Sequence, residues 1–271
     1  MPEIAQLYTY PLKSGAPIEH LSIHIAPLGL ESDRNWAIVD ENNQCLTARK
    51  YPQLLHLTSK IEKNNFILEY RNHEIFNFNI NDCVQYTSEP FRIFSYLANG
   101  WIIQIPEVNQ WLTKFTGTSS RLMQVNENLL RPVLEKHNGK AGDYLRFADQ
   151  APILICSDES LNELNDTSLS PITMSRFRPN IVVSKSKPWE EDDWKRIRIG
   201  DQVILRIIQQ CERCIMTTID PITLRKDPQG EPLKTLAKYR RNDRNNTVFG
   251  MHAVVEKPGT INTGDQISIL E

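Results

Sequence analysis

Residues 202–221, QVILRIIQQCERCIMTTIDP, carry the reading on which the rest of the chain depends. Gln202 to Ile208 is dense in β-branched side chains and predicts a strand. It runs into Gln209-Gln210-Cys211-Glu212-Arg213-Cys214. Ile215 to Ile219 then favours extended structure again, and Asp220-Pro221 marks a turn. A thioredoxin-type pair opens a helix whose dipole lowers the thiol pKa, and the β-formers after Cys214 speak against such a helix. A structural zinc site needs a second ligand pair, which Cys45, Cys83, Cys156 and the six histidines do not supply at a matching spacing. Two inert, buried cysteines fit the residues well, since cysteine is among the most buried residue types. So does a reactive thiol: Arg213 sets a permanent cation beside Cys214, which favours thiolate, and one thiolate can anchor a soft metal whose other ligands come from a cofactor. On the residues alone the last two readings stay open, and a thiol-disulfide protein using Cys211 and Cys214 stays as a weaker rival.

Outward from this segment the chain reads as strand-rich. Before it lie strand-like runs at Ile4 to Tyr10, Leu21 to Ile25, Trp36 to Asp40, Leu54 to Lys60, Asn65 to Tyr70 and Ile75 to Ile80, punctuated by turn signals such as Pro27-Leu28-Gly29 and Glu41-Asn42-Asn43. Asn109 to Phe115 and Ser160 to Asn165 predict helices, the second with Ser157 as N-cap. Further strands are expected at Ile153 to Cys156, Asn180 to Val183, Val248 to Val255 and Ile267 to Leu270. Pro232 to Arg241 reads as one helix with Leu233, Leu236 and Ala237 on one face. The expected class is α+β, predominantly β: an N-terminal β-rich domain over residues 1–125, then a β-barrel-like domain with peripheral helices over 126–271.

Composition narrows the function. The 271 residues balance 31 basic against 33 acidic side chains for a formal net charge of -2, so the basic excess of a nucleic-acid binder is missing. No run approaches the roughly 18 apolar residues of a spanning helix, and Met1 to Tyr10 does not read as a signal peptide. Five cysteines without a framework spacing suit a reducing compartment, and a cytoplasmic location is expected.

A set of short motifs recurs in a fixed order along the chain. They are Tyr10-Pro11-Leu12-Lys13-Ser14, Gly29-Leu30, Asp33-Arg34-Asn35-Trp36, Thr47-Ala48-Arg49, Phe147-Ala148-Asp149 and Phe177-Arg178-Pro179-Asn180-Ile181-Val182. Cys211 to Cys214 with Thr217-Thr218-Ile219-Asp220-Pro221 follows, then Pro232-Leu233-Lys234-Thr235-Leu236, Tyr239-Arg240 and Pro258-Gly259-Thr260-Ile261 with Gly264-Asp265. Each motif is weak alone; the ordered series resembles the molybdenum-cofactor sulfurase C-terminal (MOSC) superfamily. In particular it is similar to the branch of mitochondrial amidoxime-reducing components and bacterial reductases of N-hydroxylated compounds.

The resemblance implies a molybdenum-pterin cofactor (Mo-molybdopterin), a dithiolene-bearing pterin with a terminal phosphate, its metal held by one protein thiolate. By motif position that thiolate is Cys214, with Cys211 a neighbour. Lys13, Ser14 and Arg34 occupy the phosphate- and pterin-contacting positions, and fixed cations suit such an anion. Asp149, Arg178, Asn180 and Arg213 match positions around the pterin, whose edge offers both donors and acceptors. Arg49 fits either the cofactor or a structural ion pair. Glu212 stands where relatives often carry a small or polar residue, and Ala151 where some carry serine.

The implied activity is two-electron reduction of small N-hydroxylated substrates, with water as the second product. Larger bacterial relatives append an iron-sulfur domain with a C-x4-C-x2-C cluster motif. Such a motif is missing here, so electrons are expected from a separate iron-sulfur, flavin or haem protein. Lys234, Lys238, Arg240, Arg241 and Arg244 form either a solvated face or a dock for an acidic electron donor. A carrier of the cofactor or of sulfur, without turnover, is the alternative within the same superfamily.

Overall fold

Strand Val203–Glu212 pairs antiparallel with Val248–Lys257, and a sheet grows outward from this pair. In the computed structural model, which describes residues 1–71, 73–80 and 87–271, the strand order is Ile18–His20, Glu3–Thr9, Ile181–Ser184, Ile153–Ser157, Val248–Lys257, Val203–Glu212, Arg196–Ile199 and Ile267–Ile269. Cys83 lies outside the described residues. Alternation of side chains along each strand turns Val203, Leu205, Ile207, Ile153, Ile155, Ile181 and Val183 into one apolar core with Ile4 and Leu7. The two ends of the sheet meet. Glu3 bridges to Gln266, Ile4 donates to the Asp265 carbonyl at 3.0 Å, and Ile267 donates to the Pro2 carbonyl at 2.8 Å. This closure gives the barrel-like form and leaves no long free edge there.

The parallel pair Ile153–Ser157 and Ile181–Ser184 is joined through α2 (Asp158–Thr167). Ser157 caps α2 as its sequence suggests, its hydroxyl accepting from the Ser160 amide at 3.3 Å. The N-terminal half builds a four-stranded sheet, Trp36–Asp40, Ser120–Val125, Tyr96–Ile102 and Thr87–Ile93, and a three-stranded one, Leu57–Glu62, Asn65–Tyr70 and His73–Asn79. The two sheets and α1 (Pro106–Thr116) enclose Trp36, Phe66, Leu54 and Leu112, with the Trp36 and Phe66 rings 4.3 Å apart. The class is α+β, predominantly β.

The halves of the chain interleave. Glu3–Thr9 hydrogen-bonds to Ile181–Ser184, and Ser22–Ala26 to Gly259–Asn262, so N-terminal strands complete sheets of the C-terminal half. Residue 125 is the last residue of strand Ser120–Val125. Among the described residues no helix is long and apolar enough to cross a membrane.

Three sequence expectations change. Ile215–Thr218, expected as a strand, is a turn of 3-10 helix. The hydroxyls of Thr217 and Thr218 donate back to the carbonyls of Cys214 and Ile215 at 2.9 and 2.7 Å, and this local bonding outweighs the β propensity of the residues. Leu54 to Lys60 splits: Pro52 presets a 3-10 turn over Pro52–His56 before strand Leu57–Glu62 begins. The helix expected over Pro232 to Arg241 is shorter, α3 (Leu233–Tyr239), because Arg240 leaves helical geometry at φ -117°.

Candidate active site

The segment after the first strand turns sharply. Gly15 donates to the Leu12 carbonyl at 2.8 Å, Lys13 to the Trp36 carbonyl at 2.7 Å, and Arg34 to the Tyr10 carbonyl at 2.9 Å, weaving Tyr10–Gly15 into Asp33–Trp36. These bonds hold Ser14 at φ 64° and Arg34 at φ 48°, in the left-handed region that ordinary side chains avoid. Arg178 sits at φ 57° on the facing loop. Strained backbone of this kind persists where the surroundings over-determine it, and it gathers at binding sites.

These loops and the Cys211–Cys214 segment line one cleft of about 320 Å³. Lys13, Ser14, Arg34, Asp149, Arg178, Asn180, Arg213 and Cys214, scattered over two hundred residues of sequence, all reach its wall. Sequence reasoning missed Phe94, Tyr96, Gln150, Arg176 and His252 among the lining residues. None of these lies in the motifs, except that Gln150 and Arg176 directly adjoin them.

The cleft is strongly cationic. The Arg34 and Arg178 guanidinium carbons lie 4.4 and 4.1 Å from the centroid of the buried Tyr10 ring. Asp33 fixes this corner: one carboxylate oxygen accepts from the Tyr10 amide at 2.7 Å and the other pairs with Arg34. Burial, opposed by Tyr10 and reinforced by Arg34, brings the Arg178 pKa down to about 10. Lys13 is buried, donates to the Phe147 carbonyl at 2.8 Å and pairs with Asp149. Enclosure raises the Asp149 pKa, but Lys13 first, then Arg49 and Arg131, overcome this and hold it below the usual carboxylate range. Arg49 rests on the Phe94 ring at 4.0 Å and forms no ion pair among the described residues.

Two expected contacts take a different form. Arg213, adjacent to Cys214 in sequence, sends its guanidinium to the carbonyls of Phe249 and Phe177, both at 2.9 Å, and to Sγ of Cys156 at 3.7 Å. Arg213 stands just past the end of strand Val203–Glu212 and its guanidinium hydrogen bonds go to these groups, so adjacency in sequence did not make it a hydrogen-bond partner of the Cys214 thiol. The Asn180 carboxamide is engaged by backbone at both ends, accepting from the Leu154 amide and donating to the Tyr8 carbonyl, each at 3.1 Å. Its side chain ties the first strand to Ile153–Ser157 beneath the cleft.

The cysteines separate by environment. Burial pushes the Cys45 thiol up to about 12 and raises Cys156 and Cys211 as well. Cys211 packs among Leu154, Phe177 and Phe249. Cys214 is half-buried, has no hydrogen-bond partner for its thiol among the described residues, and stands at the start of the 3-10 turn. Among the described residues no three of His, Cys, Asp and Glu converge as a metal cage. A metal at Cys214 therefore needs ligands brought by another group.

The sequence profile of the MOSC domain matches residues 142–268, and that of the MOSC N-terminal beta barrel domain residues 1–119. Mitochondrial amidoxime reducing component 2 of Rattus norvegicus is 31% identical over 97% of this chain and 82% of that protein. The chain belongs to the MOSC family, in the branch of the amidoxime-reducing components. The Homo sapiens component 2 of that branch is 32% identical over 97% of this chain and 82% of its own length. Among solved structures, the YUAD protein from Bacillus subtilis aligns over 98% of this chain and 94% of its own, with 14% identity and a TM-score of 0.44.

The donor set of this MOSC chain suits the cofactor with which the family is associated. One accessible thiol matches a soft metal, and clustered guanidinium and ammonium groups match a phosphate. Polar atoms are also left over: Nε of Arg49, Nε of Arg176 and Nδ1 of His252 are buried in the wall without partners among the described residues. Burial, with Arg213 adding, lowers the His252 pKa to about 4, so this ring is neutral at pH 7.

Proposed function

We propose that this protein is a molybdenum-pterin-dependent reductase of N-hydroxylated compounds, amidoxime-type bases among them, with electrons delivered by a separate redox protein. The supporting observation is the single cleft. Eight residues drawn from several distant stretches of the sequence converge on it; both cysteines of the central motif line it, Cys211 buried and Cys214 half-buried.

In this reading Cys214 holds the metal, Lys13, Ser14 and Arg34 hold the phosphate, and Asp149, Arg178, Asn180 and Arg213 surround the pterin. When bound, the cofactor supplies the two-electron chemistry that cleaves an N–O bond. The chain itself contributes preorganisation. Tyr10 fixes two guanidinium groups in advance, so little ordering remains to be done when an anion enters. Asp149 keeps the Lys13 ammonium at the cleft wall. Arg213, in the cleft wall, is braced by two carbonyls and a thiol. The electron donor is an iron-sulfur, flavin or haem protein, and the reading places the pair in the cytoplasm, where reduced thiols persist. The residues are grouped as an N-terminal domain to 125 and a MOSC domain from 126, sharing strands as described.

Expression in a host that makes the cofactor tests this. About one molybdenum per chain is expected, with turnover of an amidoxime when a reduced viologen dye supplies electrons. Bound molybdenum without turnover favours the carrier alternative, and cyanide-releasable sulfur without molybdenum favours sulfur transfer.

A further inference from the structure

Ala48, Ile219, Asp220 and Pro221 belong to the ordered motifs yet do not line the cleft. They meet where the two halves of the chain touch. Ile219 shares one buried apolar cluster with Ala48 and Leu55, and Met216 and Leu224 pack against it. The cluster joins the turn that follows Cys214 to the first half of the chain.

Backbone bonds make that turn and the loop after it one unit. The Thr217 and Ile219 amides donate to the Cys214 and Met216 carbonyls at 3.0 and 3.1 Å, and the Asp227 amide donates to the Thr218 carbonyl at 2.7 Å. Ile219 also bridges antiparallel to Lys226. At the loop tip the Asp220 carboxylate accepts from the amides of Ile222 and Thr223 at 2.9 and 2.7 Å, an arrangement typical of aspartate in turns. The donors of the tip are thus satisfied from within, and the carbonyls of Pro221 and Ile222 take their donor from outside.

That donor is His56, the last residue of the 3-10 turn Pro52–His56 and the neighbour of Leu55. Its Nε2 lies 2.9 Å from the Pro221 carbonyl oxygen and 3.2 Å from that of Ile222. Arg71 holds the other side: its amide donates to the His56 carbonyl at 3.2 Å and its Nε donates to Nδ1 of the ring at 3.3 Å. A guanidinium only donates and a carbonyl only accepts, so both contacts demand the same tautomer, with the proton on Nε2 and the lone pair on Nδ1. From the cleft wall Arg176 holds the same loop, its guanidinium 3.5 Å from the Asp220 carboxylate. The Cys214 thiol has no hydrogen-bond partner of its own among the described residues, so its placement is that of the backbone on which it stands.

We propose that His56 is a positioning residue for Cys214: by clasping the Pro221 and Ile222 carbonyls it fixes the turn that sets the thiol at the cleft. The consequence for turnover rests on the reductase reading, whereas the clasp is a property of the protein without cofactor. Misplacing a reacting group by about 1 Å can cost on the order of 100-fold in rate, so a residue outside the cleft can govern kcat.

The test compares wild type with His56→Leu, His56→Gln and Arg71→Ala, each prepared with and without cofactor. In the cofactor-free proteins, mass spectrometry follows amide exchange and the alkylation of Cys214 by iodoacetamide. His56→Leu leaves two carbonyls without their donor, so exchange over residues 217–224 should quicken about tenfold, with strands Val203–Glu212 and Val248–Lys257 unchanged. The Cys214 alkylation rate should change by about threefold or more, since thiol reactivity follows exposure and surroundings. His56→Gln retains an amide donor and should restore most of both. Arg71→Ala alters only an exposed side chain, keeps the fold if His56→Leu does not, and should give an intermediate effect. Imidazole ¹⁵N shifts of wild type should show the Nε2–H tautomer of His56. In molybdenum-loaded protein reducing benzamidoxime with a reduced viologen dye, His56→Leu should lower kcat about tenfold while KM moves less than about twofold. Wild-type exchange and Cys214 alkylation in His56→Leu overturn the proposal, as does an Nδ1–H tautomer. Equal impairment of His56→Leu and His56→Gln also overturns it, because ring packing alone would then be at work. Wild-type protein that holds no molybdenum counts against the reductase reading, and the cofactor-free measurements still decide the clasp.

Discussion

Arg34 donates from Nη2 to the carbonyl of Arg178 at 3.3 Å, which locks two loops 144 residues apart into one cationic frame. Both guanidinium groups lie on the Tyr10 ring, so this tyrosine is a platform and its hydroxyl is secondary. Tyr10→Phe should therefore retain bound molybdenum near the wild-type level. Tyr10→Leu removes the ring, should lower molybdenum per chain several-fold, and should cost about 2–4 kcal/mol of stability from the large buried side chain. Metal analysis and urea unfolding of both variants read this out, and equal molybdenum in the two would refute the platform role.

The two cysteines of the central motif should respond in opposite ways. Cys214→Ser changes a half-buried, unpartnered thiol, so stability should shift by less than about 0.5 kcal/mol while bound metal is lost. Cys211→Ser places a hydroxyl in the cluster of Leu154, Phe177 and Phe249, which should cost about 1–3 kcal/mol with metal content largely retained. Metal content and denaturant midpoints decide. A dithiol mechanism predicts instead that both variants lose activity alike.

The strands that pack on both faces were legible because β-branched runs such as Ile181 to Val183 and Val203 to Ile208 must be buried, and their periodicity says so. Strand Tyr96–Ile102 was not, because Ala98, Asn99 and Gly100 break the propensity pattern and only pairing with Thr87–Ile93 and Ser120–Val125 makes it extended. The same limit hid Tyr96 and Phe94 from the site. They carry no cofactor motif, and their position comes from the hairpin turn. Ordered motifs located Lys13, Arg34 and Cys214 in one cleft, yet they could not say that Arg213 faces the Phe249 carbonyl or that Asn180 is consumed by backbone bonds, since orientation is set by tertiary neighbours. His252 looked like one histidine among six; only its pairing opposite Leu154 turns it towards the cleft.

Gly250 is the tightest point behind the site. At φ 73° its strand approaches so closely that an added Cβ would stand 2.5 Å from the Ile155 carbonyl oxygen and 2.6 Å from Sγ of Cys156. Gly250→Ala should cost about 2–4 kcal/mol, combining left-handed strain with a backbone clash that cannot relax by rotating a side chain. Because Cys156 and the Phe249 carbonyl both brace Arg213, molybdenum content should fall with stability. A stable Gly250→Ala with full metal content would show that the close approach is dispensable.

The pH dependence of stability should carry two opposing contributions. Glu191 is fully buried, with both carboxyl oxygens within 2.9 Å of the Ser160 hydroxyl, and burial pushes its pKa from 4.5 up to about 7, against its hydrogen bonds. Between these values the unfolded chain has released a proton that the folded chain keeps, so stability falls as pH rises from about 4.5 to about 7, by about 3 kcal/mol in all. His252 works the other way. Its folded pKa of about 4 lies below the ordinary 6.5, so the unfolded chain binds the extra proton and stability rises with pH across that window. In wild type the two slopes largely cancel between about pH 4.5 and 6.5. Glu191→Gln removes the falling slope, so urea unfolding should show its stability rising across this window and exceeding wild type most at pH 8. A constant difference between the two proteins from pH 4.5 to 8 would mean that Glu191 is ionised throughout in the folded protein, contrary to its burial.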